Sequence, residues 1–393
     1  MLKVLFAILI LGYVLALILL KSKRGELLLL AFSIIATTSI VELYLKIFDP
    51  QIMQHDGLFI KDEKLGWRFK KNAVGNIVYK DVDNHMVSTN SWGFRDSEPN
   101  LMKTHRILVT GDSFVSNLAV NDNEVFTEVM QRTLTDAEVF NIGVSGYGQV
   151  QELLNIREVW DTLTPDLVIL VVYLRNDFTD NVRDDWQHNR PIATLDQSDT
   201  TISILGPSKN NRRFSTYSFA RRNSHLAALA LRKIDNIKIN HFDKVKPALY
   251  GPPESFLCRN DLSSESEHMY LIMEKLLLEI NGFVEGKGSD LLVVLAPSIV
   301  QIEDDLWNLM VNESGGNYDD YLRTQPGDKL VAFCKKNDMN VVDLFPIIYE
   351  QNKVKKLYNP FEHHWNKSGN ELVAKILSEH LIMNHSDFSS IQN

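Results

Sequence analysis

Three regimes of hydrophobic and polar patterning divide this chain. The first is apolar. Residues 4–20 are uncharged and mostly aliphatic, and a second run from Leu27 reaches Val41 before Glu42, extending to Phe48 if Glu42 and Lys46 lie near an interface. Each run approaches the roughly 17–25 residues that a membrane-spanning helix needs. The short basic stretch Lys21-Ser22-Lys23-Arg24-Gly25 separates them, so residues 1–48 are predicted to form a transmembrane helical hairpin. The alternatives are a cleaved signal peptide, or one span with an interfacial helix. Against a signal stand the length of the apolar core, the lack of a clear small-x-small site after it, and the second run. The basic turn places itself on the cytoplasmic side. Everything from about Asp49 is then extracytoplasmic, periplasmic or at the cell surface in a bacterium.

The second regime, 49–103, carries Gly57, Gly66, Gly75 and Gly93, several aromatics and short alternations such as 76–80. It reads as an N-terminal extension with short strands. In the third, 104–385, β-rich apolar runs alternate with helical patterns. Strands are predicted at 106–110, 137–142, 166–173, 290–295 and 340–344. Helices are predicted at 125–134, 149–163, 264–285, 318–336 and 365–383. The run 166–173 is almost continuously apolar, as suits a central parallel strand buried on both faces. Repeated βα units imply a parallel sheet with helices on both sides. A polar, Pro-containing stretch at about 180–254 reads as an insertion, and 386–393 as a tail.

Composition narrows the class. The 393 residues carry a net charge of -9, which argues against a nucleic-acid partner, since that needs clustered Lys and Arg. The two cysteines, Cys258 and Cys334, exclude a disulfide framework and a Cys-based zinc site but leave one optional disulfide open. Neither a cofactor nor a metal is expected.

In open α/β sheets the ligand site lies at the carboxyl ends of the strands. There the sequence places Gly111-Asp112-Ser113-Phe114 after the first strand, Asn141-Ile142-Gly143-Val144-Ser145-Gly146-Tyr147-Gly148 after the second, and Arg175-Asn176-Asp177 after the third. Glu362-His363-His364-Trp365-Asn366 precedes the last helix. A serine at a strand-to-helix turn can serve as nucleophile, and its own amide can steady an oxyanion. Glycines let a backbone approach a substrate. An Asn side chain can donate to an oxyanion, and a His oriented by a carboxylate can act as general base.

These four blocks, in this order, resemble those of the SGNH (GDSL-type) hydrolases across roughly residues 104–383. The stretches around Asn141, Asn176 and His364, with Leu65-Gly66-Trp67-Arg68 and 90–96, resemble a membrane-anchored bacterial branch associated with cell-surface glycans. The resemblance implies a flavodoxin-like three-layer α/β/α fold and acyl-ester chemistry. By position, Ser113 matches the nucleophile and His364 the general base, with His363 the competitor for that role. The Ser113 amide, the Gly146 amide (with Gly143 the rival) and the Asn176 side chain match the oxyanion hole. Glu362 stands where the family usually has Asp, so the third triad role falls to Glu362 or to a backbone carbonyl. Arg175 stands where Gly is common, where it could narrow the site or contact an anionic substrate.

The implied reaction is attack on an O-acyl group, O-acetyl foremost, of an extracytoplasmic polysaccharide, ending in hydrolysis or transfer. A lipase- or thioesterase-like enzyme acting on lipid acyl esters is the enzymatic rival. A catalytically inactive glycan-binding or assembly subunit, with a membrane-protein partner, is the other. Trp67, Trp92 and Trp186 are either sugar-stacking faces or core residues.

Overall fold

The structure is a computed structural model and describes residues 21–49, 58–79, 82–183, 190–196, 201–207, 223–231, 233 and 253–384. The first apolar run, Trp186, the tail and much of the predicted insertion lie outside the described residues.

A helix, α1 (Arg24–Phe48), opens the described chain. It has 25 residues, and an 18-residue window within it has a mean hydropathy of 2.0, long and apolar enough to cross a membrane. The helix starts inside the stretch predicted to be the turn: Lys21–Lys23 is a 3₁₀ turn, and Arg24 and Gly25 are already helical. Leu29, Phe32, Ile35 and Ile40 are more than half exposed, an apolar surface that favours lipid over water. Near its end, the Glu42 carboxylate accepts hydrogen bonds from Ser224 Oγ (2.8 Å), His225 N (2.7 Å) and Leu226 N (2.9 Å). Glu42 therefore caps the short helical stretch at 225–231.

Two antiparallel hairpins follow: β1 (Phe59–Asp62) with β2 (Gly66–Phe69), and β3 (Val74–Tyr79) with β4 (Val82–Ser88). The main domain then runs β5 (His105–Thr110), α2 (Ser113–Ser116), α3 (Phe126–Thr133), β6 (Ala137–Asn141), α4 (Gln149–Leu163), β7 (Leu167–Tyr173) and α5 (Asn176–Asp180). Within the predicted insertion a hairpin of β8 (Ile192–Leu195) and β9 (Ile202–Leu205) packs beside α4. The chain continues with α6 (Glu254–Leu257), α7 (Ser264–Gly286), β10 (Asp290–Ala296), α8 (Ile299–Ile302), α9 (Asp304–Glu313), α10 (Gln325–Lys336), β11 (Asn340–Asp343), α11 (Phe345–Val354) and α12 (Lys367–Asn384).

Five strands form one parallel sheet in the order β6-β5-β7-β10-β11. In chain order this is 2-1-3-4-5, the flavodoxin-like arrangement. Alternation along the strands separates two cores, because successive side chains point to opposite faces. Ile107, Val109, Ile169, Val171, Leu292 and Val294 pack with α3 and α12. Leu108, Val168, Leu170, Val172, Val293 and Leu295 pack with α4, α7 and α10. The result is a three-layer α/β/α domain.

The predicted helix 318–336 is corrected at its start. Tyr318–Asp320 is a 3₁₀ turn, and α10 begins at Gln325 with Pro326 in its first turn, where the missing proline N–H costs nothing. Cys258 and Cys334 are both free, and they are buried in separate clusters.

Candidate active site

The strand order reverses between β5 and β7, which opens a crevice at their carboxyl ends. Ser113 follows β5, Gly143 to Gly148 follow β6, and Asn176 follows β7. The sheet topology alone therefore gathers three of the sequence blocks.

Ser113 is the first residue of α2, a four-residue helix. So short a helix has little stability of its own, so its ends must be held from outside. At the N-terminus Asp112 accepts the Phe114 N–H on Oδ1 at 2.8 Å and the Ser113 hydroxyl on Oδ2 at 3.1 Å. At the C-terminus Asn141 Nδ2 donates to Val115 O at 3.0 Å, and Arg95 donates to Ser116 O at 2.7 Å. The Ser116 and Ser145 hydroxyls are paired at 2.7 Å, which ties α2 to the glycine-rich loop. A Cβ at Gly111 would collide with Val115 and stand 3.0 Å from Val171 O. The tight turn before the serine therefore requires glycine.

Ser113 Oγ lies 2.7 Å from His364 Nε2, across 251 positions of sequence. His364 Nδ1 faces the Glu362 carboxylate, with which it forms a close ion pair, and the Glu362 carbonyl oxygen at 3.2 Å. The Glu362 side chain is 6 % exposed, so it is not a surface group. The side chain and its own carbonyl both address the ring. The extra methylene relative to Asp is taken up by folding back over the tight turn at His363, whose φ is +71°. Burial works against a charged His364, but the Glu362 carboxylate, its hydrogen bond and Asp112 outweigh it and raise the imidazole above its ordinary 6.5. His363 moves the other way, lowered by burial and by Arg175. Nε2 of His364, not His363, meets the serine.

The expected oxyanion donors stand as follows. Gly143 N–H is already committed to Asn141 Oδ1 at 3.0 Å. Gly146 has φ +79°, a left-handed turn that favours glycine, and its missing Cβ would sit 3.4 Å from the Trp67 ring. Asn176 Nδ2 donates to Asp180 Oδ2 at 2.9 Å and to Asp112 Oδ2 at 3.4 Å. The longer, weaker bond is the one a developing oxyanion would replace.

Behind the serine lies a group of carboxyls that motif reading does not single out as functional. Asp112, Glu152 and Asp177 are fully buried. Asp177 Oδ2 accepts from Gln149 Nε2 (2.7 Å) and Tyr173 N (2.8 Å). Burial, then mutual repulsion, pushes Glu152 and Asp177 well up; burial also raises Asp112. Among the described residues no group of three or more His, Cys, Asp or Glu is arranged to hold a metal ion.

Arg175 pairs with the fully buried Glu254 at 3.1 Å, so its guanidinium is anchored to the end of the insertion. Arg190 pairs with Asp180 at 2.6 Å and lies over the Trp67 ring. Trp67 is itself fully buried, with Nε1 donating to Ser145 O at 3.1 Å. Trp92 is half-buried against the core. Trp67 thus supports the glycine-rich loop from below and offers no face to a sugar.

The chain is similar to several solved structures. A lipolytic protein of the G-D-S-L family from Veillonella parvula is 14 % identical, over 70 % of this chain and 97 % of that one, with a TM-score of 0.37. The acetyl xylan esterase AlAXEase is 12 % identical, over 70 % and 100 %, at 0.36. A catalytic mutant of an acetylxylan esterase from Geobacillus stearothermophilus is 12 % identical, over 70 % and 94 %, at 0.34. No protein-family model and no curated protein matches the sequence.

Proposed function

We propose that this protein is a membrane-anchored, extracytoplasmic serine esterase that acts on O-acyl groups, O-acetyl foremost, of a polysaccharide. The observation that carries the chemistry is the 2.7 Å contact of Ser113 Oγ with His364 Nε2, with Glu362 on the other ring nitrogen. The substrate class rests on the sequence resemblance and the predicted topology.

In this reading His364 takes the Ser113 proton as Oγ adds to the ester carbonyl. The oxyanion is received by the Ser113 and Gly146 amides and Asn176 Nδ2, where loss of one donor typically costs about 10²–10³ in rate. Collapse breaks the bond to the sugar oxygen, which leaves with the proton held by His364. The acyl group remains on Ser113. Water, or a second hydroxyl, then gives its proton to His364 as its oxygen adds to the acyl carbonyl; the bond to Ser113 Oγ breaks, and His364 returns the proton to Oγ. Glu362 keeps the ring in the tautomer that accepts at Nε2 and steadies its cation.

The test uses the full chain in detergent with aryl esters from acetyl to long-chain acids, then O-acetylated polysaccharides, with Ser113→Ala as control. The expected result is cleavage of short esters and acetate release, with the variant roughly 10⁶-fold slower. Preference for long acyl chains would replace the glycan reading with a lipid one. A folded wild-type protein inert to every ester and to a serine-directed phosphonate would remove catalysis and leave a binding or assembly subunit.

A further inference from the structure

Ser113 and His364 reach the site on separate segments, and a single side chain joins the backbones that carry them. Asn117, the residue after α2, is fully buried. Its Nδ2 donates to Trp365 O at 2.9 Å, across 248 positions of sequence. Its Oδ1 accepts from Ala119 N at 3.2 Å, and its N–H donates to Ser113 O at 2.9 Å. Its carbonyl accepts from Arg95 Nη1. Each of its polar groups is thus engaged, and two of the bonds lead to Ser113 and to the neighbour of His364. Phe114 fills the space between the two segments, its ring centroid 4.9 Å from that of His364 and 4.7 Å from that of Trp365.

We propose that Asn117 is a positioning residue that sets the Ser113–His364 distance by bridging the turn after the serine to the backbone carbonyl next to the histidine. This rests on the esterase reading for its effect on rate, but not for its effect on geometry. The Trp365 carbonyl also accepts from Asn370 Nδ2 at 3.1 Å. Removing the Asn117 donor therefore leaves no buried carbonyl without a partner. The contact is not needed to satisfy that group, so its remaining effect is to place it.

Two variants separate the roles. Asn117→Gly keeps the backbone freedom at φ +20° and removes both side-chain bonds. Asn117→Asp keeps the acceptor for Ala119 and turns the donor into a carboxylate oxygen facing Trp365 O. Both are made in the full chain in detergent. For folded protein, kcat and the rate of Ser113 labelling by a phosphonate are expected to fall about 10–10²-fold, because a displacement near 1 Å costs that much, while KM stays within about threefold. The His364 imidazole, labelled with ¹³C and followed by NMR, is expected to titrate at lower pH in Asn117→Gly, which adds no charge; the carboxylate of Asn117→Asp acts on the ring in the opposite sense, so that variant is read by kcat and labelling alone. Glu362, Asp112 and His363 face the ring, and a looser fit weakens the hold of the two carboxylates. A kcat unchanged in both variants, or a loss that merely tracks the unfolded fraction, overturns the proposal. If the wild-type protein is inert to esters and phosphonate, the esterase reading fails. The imidazole titration of Asn117→Gly still decides this one: a shift to lower pH upholds it, and an unmoved or raised value overturns it.

Discussion

The serine side of the site and the histidine side are braced in different ways. Ser113 stands on a buried helical turn gripped by Asp112, Asn141, Ser145 and Arg95, partners drawn from the extension and from two strand ends. His364 stands on a loop that turns sharply at His363 and is stapled by its own short-range bonds, among them Asn359 N to His364 O and His363 N to Asn359 O, both 2.9 Å. Phe361 in that loop is 61 % exposed. One side takes its rigidity from the rest of the molecule; the other, apart from the Asn117 bond to Trp365 O, depends on its own loop and the carboxylate beside it. Lesions on the histidine side should therefore change how the site titrates. Lesions in the clamps on the serine helix, such as Arg95, should change how the domain stands, whereas Asn117 reaches across to Trp365 O and belongs to both sides.

The largest effect tests the histidine side. Glu362→Gln should lower kcat by about 10³–10⁴. In the proposed mechanism the ring must be neutral to accept the serine proton, so kcat/KM should rise with pH as His364 loses its own. With that proton held above the ordinary 6.5, the wild-type limb lies above 6.5, and Gln at 362 should move it to lower pH. A pH profile of kcat/KM checks both size and sign. A limb left in place would show that the Glu362 carbonyl alone orients the ring.

Next comes the serine side. The buried Arg95 guanidinium serves Ser116 O, Asn117 O and Val120 O and pairs with Asp122 at 3.1 Å. Arg95→Met leaves those carbonyls without donors and should cost about 3 kcal/mol or more, read as a lower urea midpoint. An equal loss from a substitution in the histidine loop at an exposed position such as Phe361 would erase the contrast.

The smallest effect concerns the carboxyls beneath the serine. Glu152, raised by burial, binds its proton more tightly folded than unfolded. Its contribution to stability is then full below the ordinary 4.5 and is lost as pH rises toward the folded value. Glu152→Gln should melt with a flatter dependence on pH above about 5 than the wild-type protein. Identical slopes would show that Asp177 and Asp112 carry the proton instead.

The sheet was legible because its strands are apolar on both faces, a pattern only a covered parallel sheet needs. The helices Asp304–Glu313 and Phe345–Val354 escaped notice. The first buries only Trp307, Met310 and Val311, a short stripe that could have been found at i, i+3, i+4. The serine, glycine, asparagine and histidine blocks could be read because each falls at a strand end or before a helix. Arg95 and Asn117 could not be given a role, because they bond to backbone carbonyls far along the chain, and a carbonyl leaves no mark in the sequence. Glu362 was legible as a residue but not as a contact. Whether a longer carboxylate can fold back onto the ring depends on the turn at His363, which sequence alone does not fix.

The 251-residue gap between Ser113 and its imidazole has a consequence for biosynthesis. A serine hydroxyl without its base is a weak nucleophile. While the chain is being made, Ser113 emerges long before His364 and stays chemically ordinary until the sheet has closed and the last loop has docked. In the proposed enzyme, reactivity would be the final product of folding, and a half-made chain could pass ester-rich surroundings without attacking them.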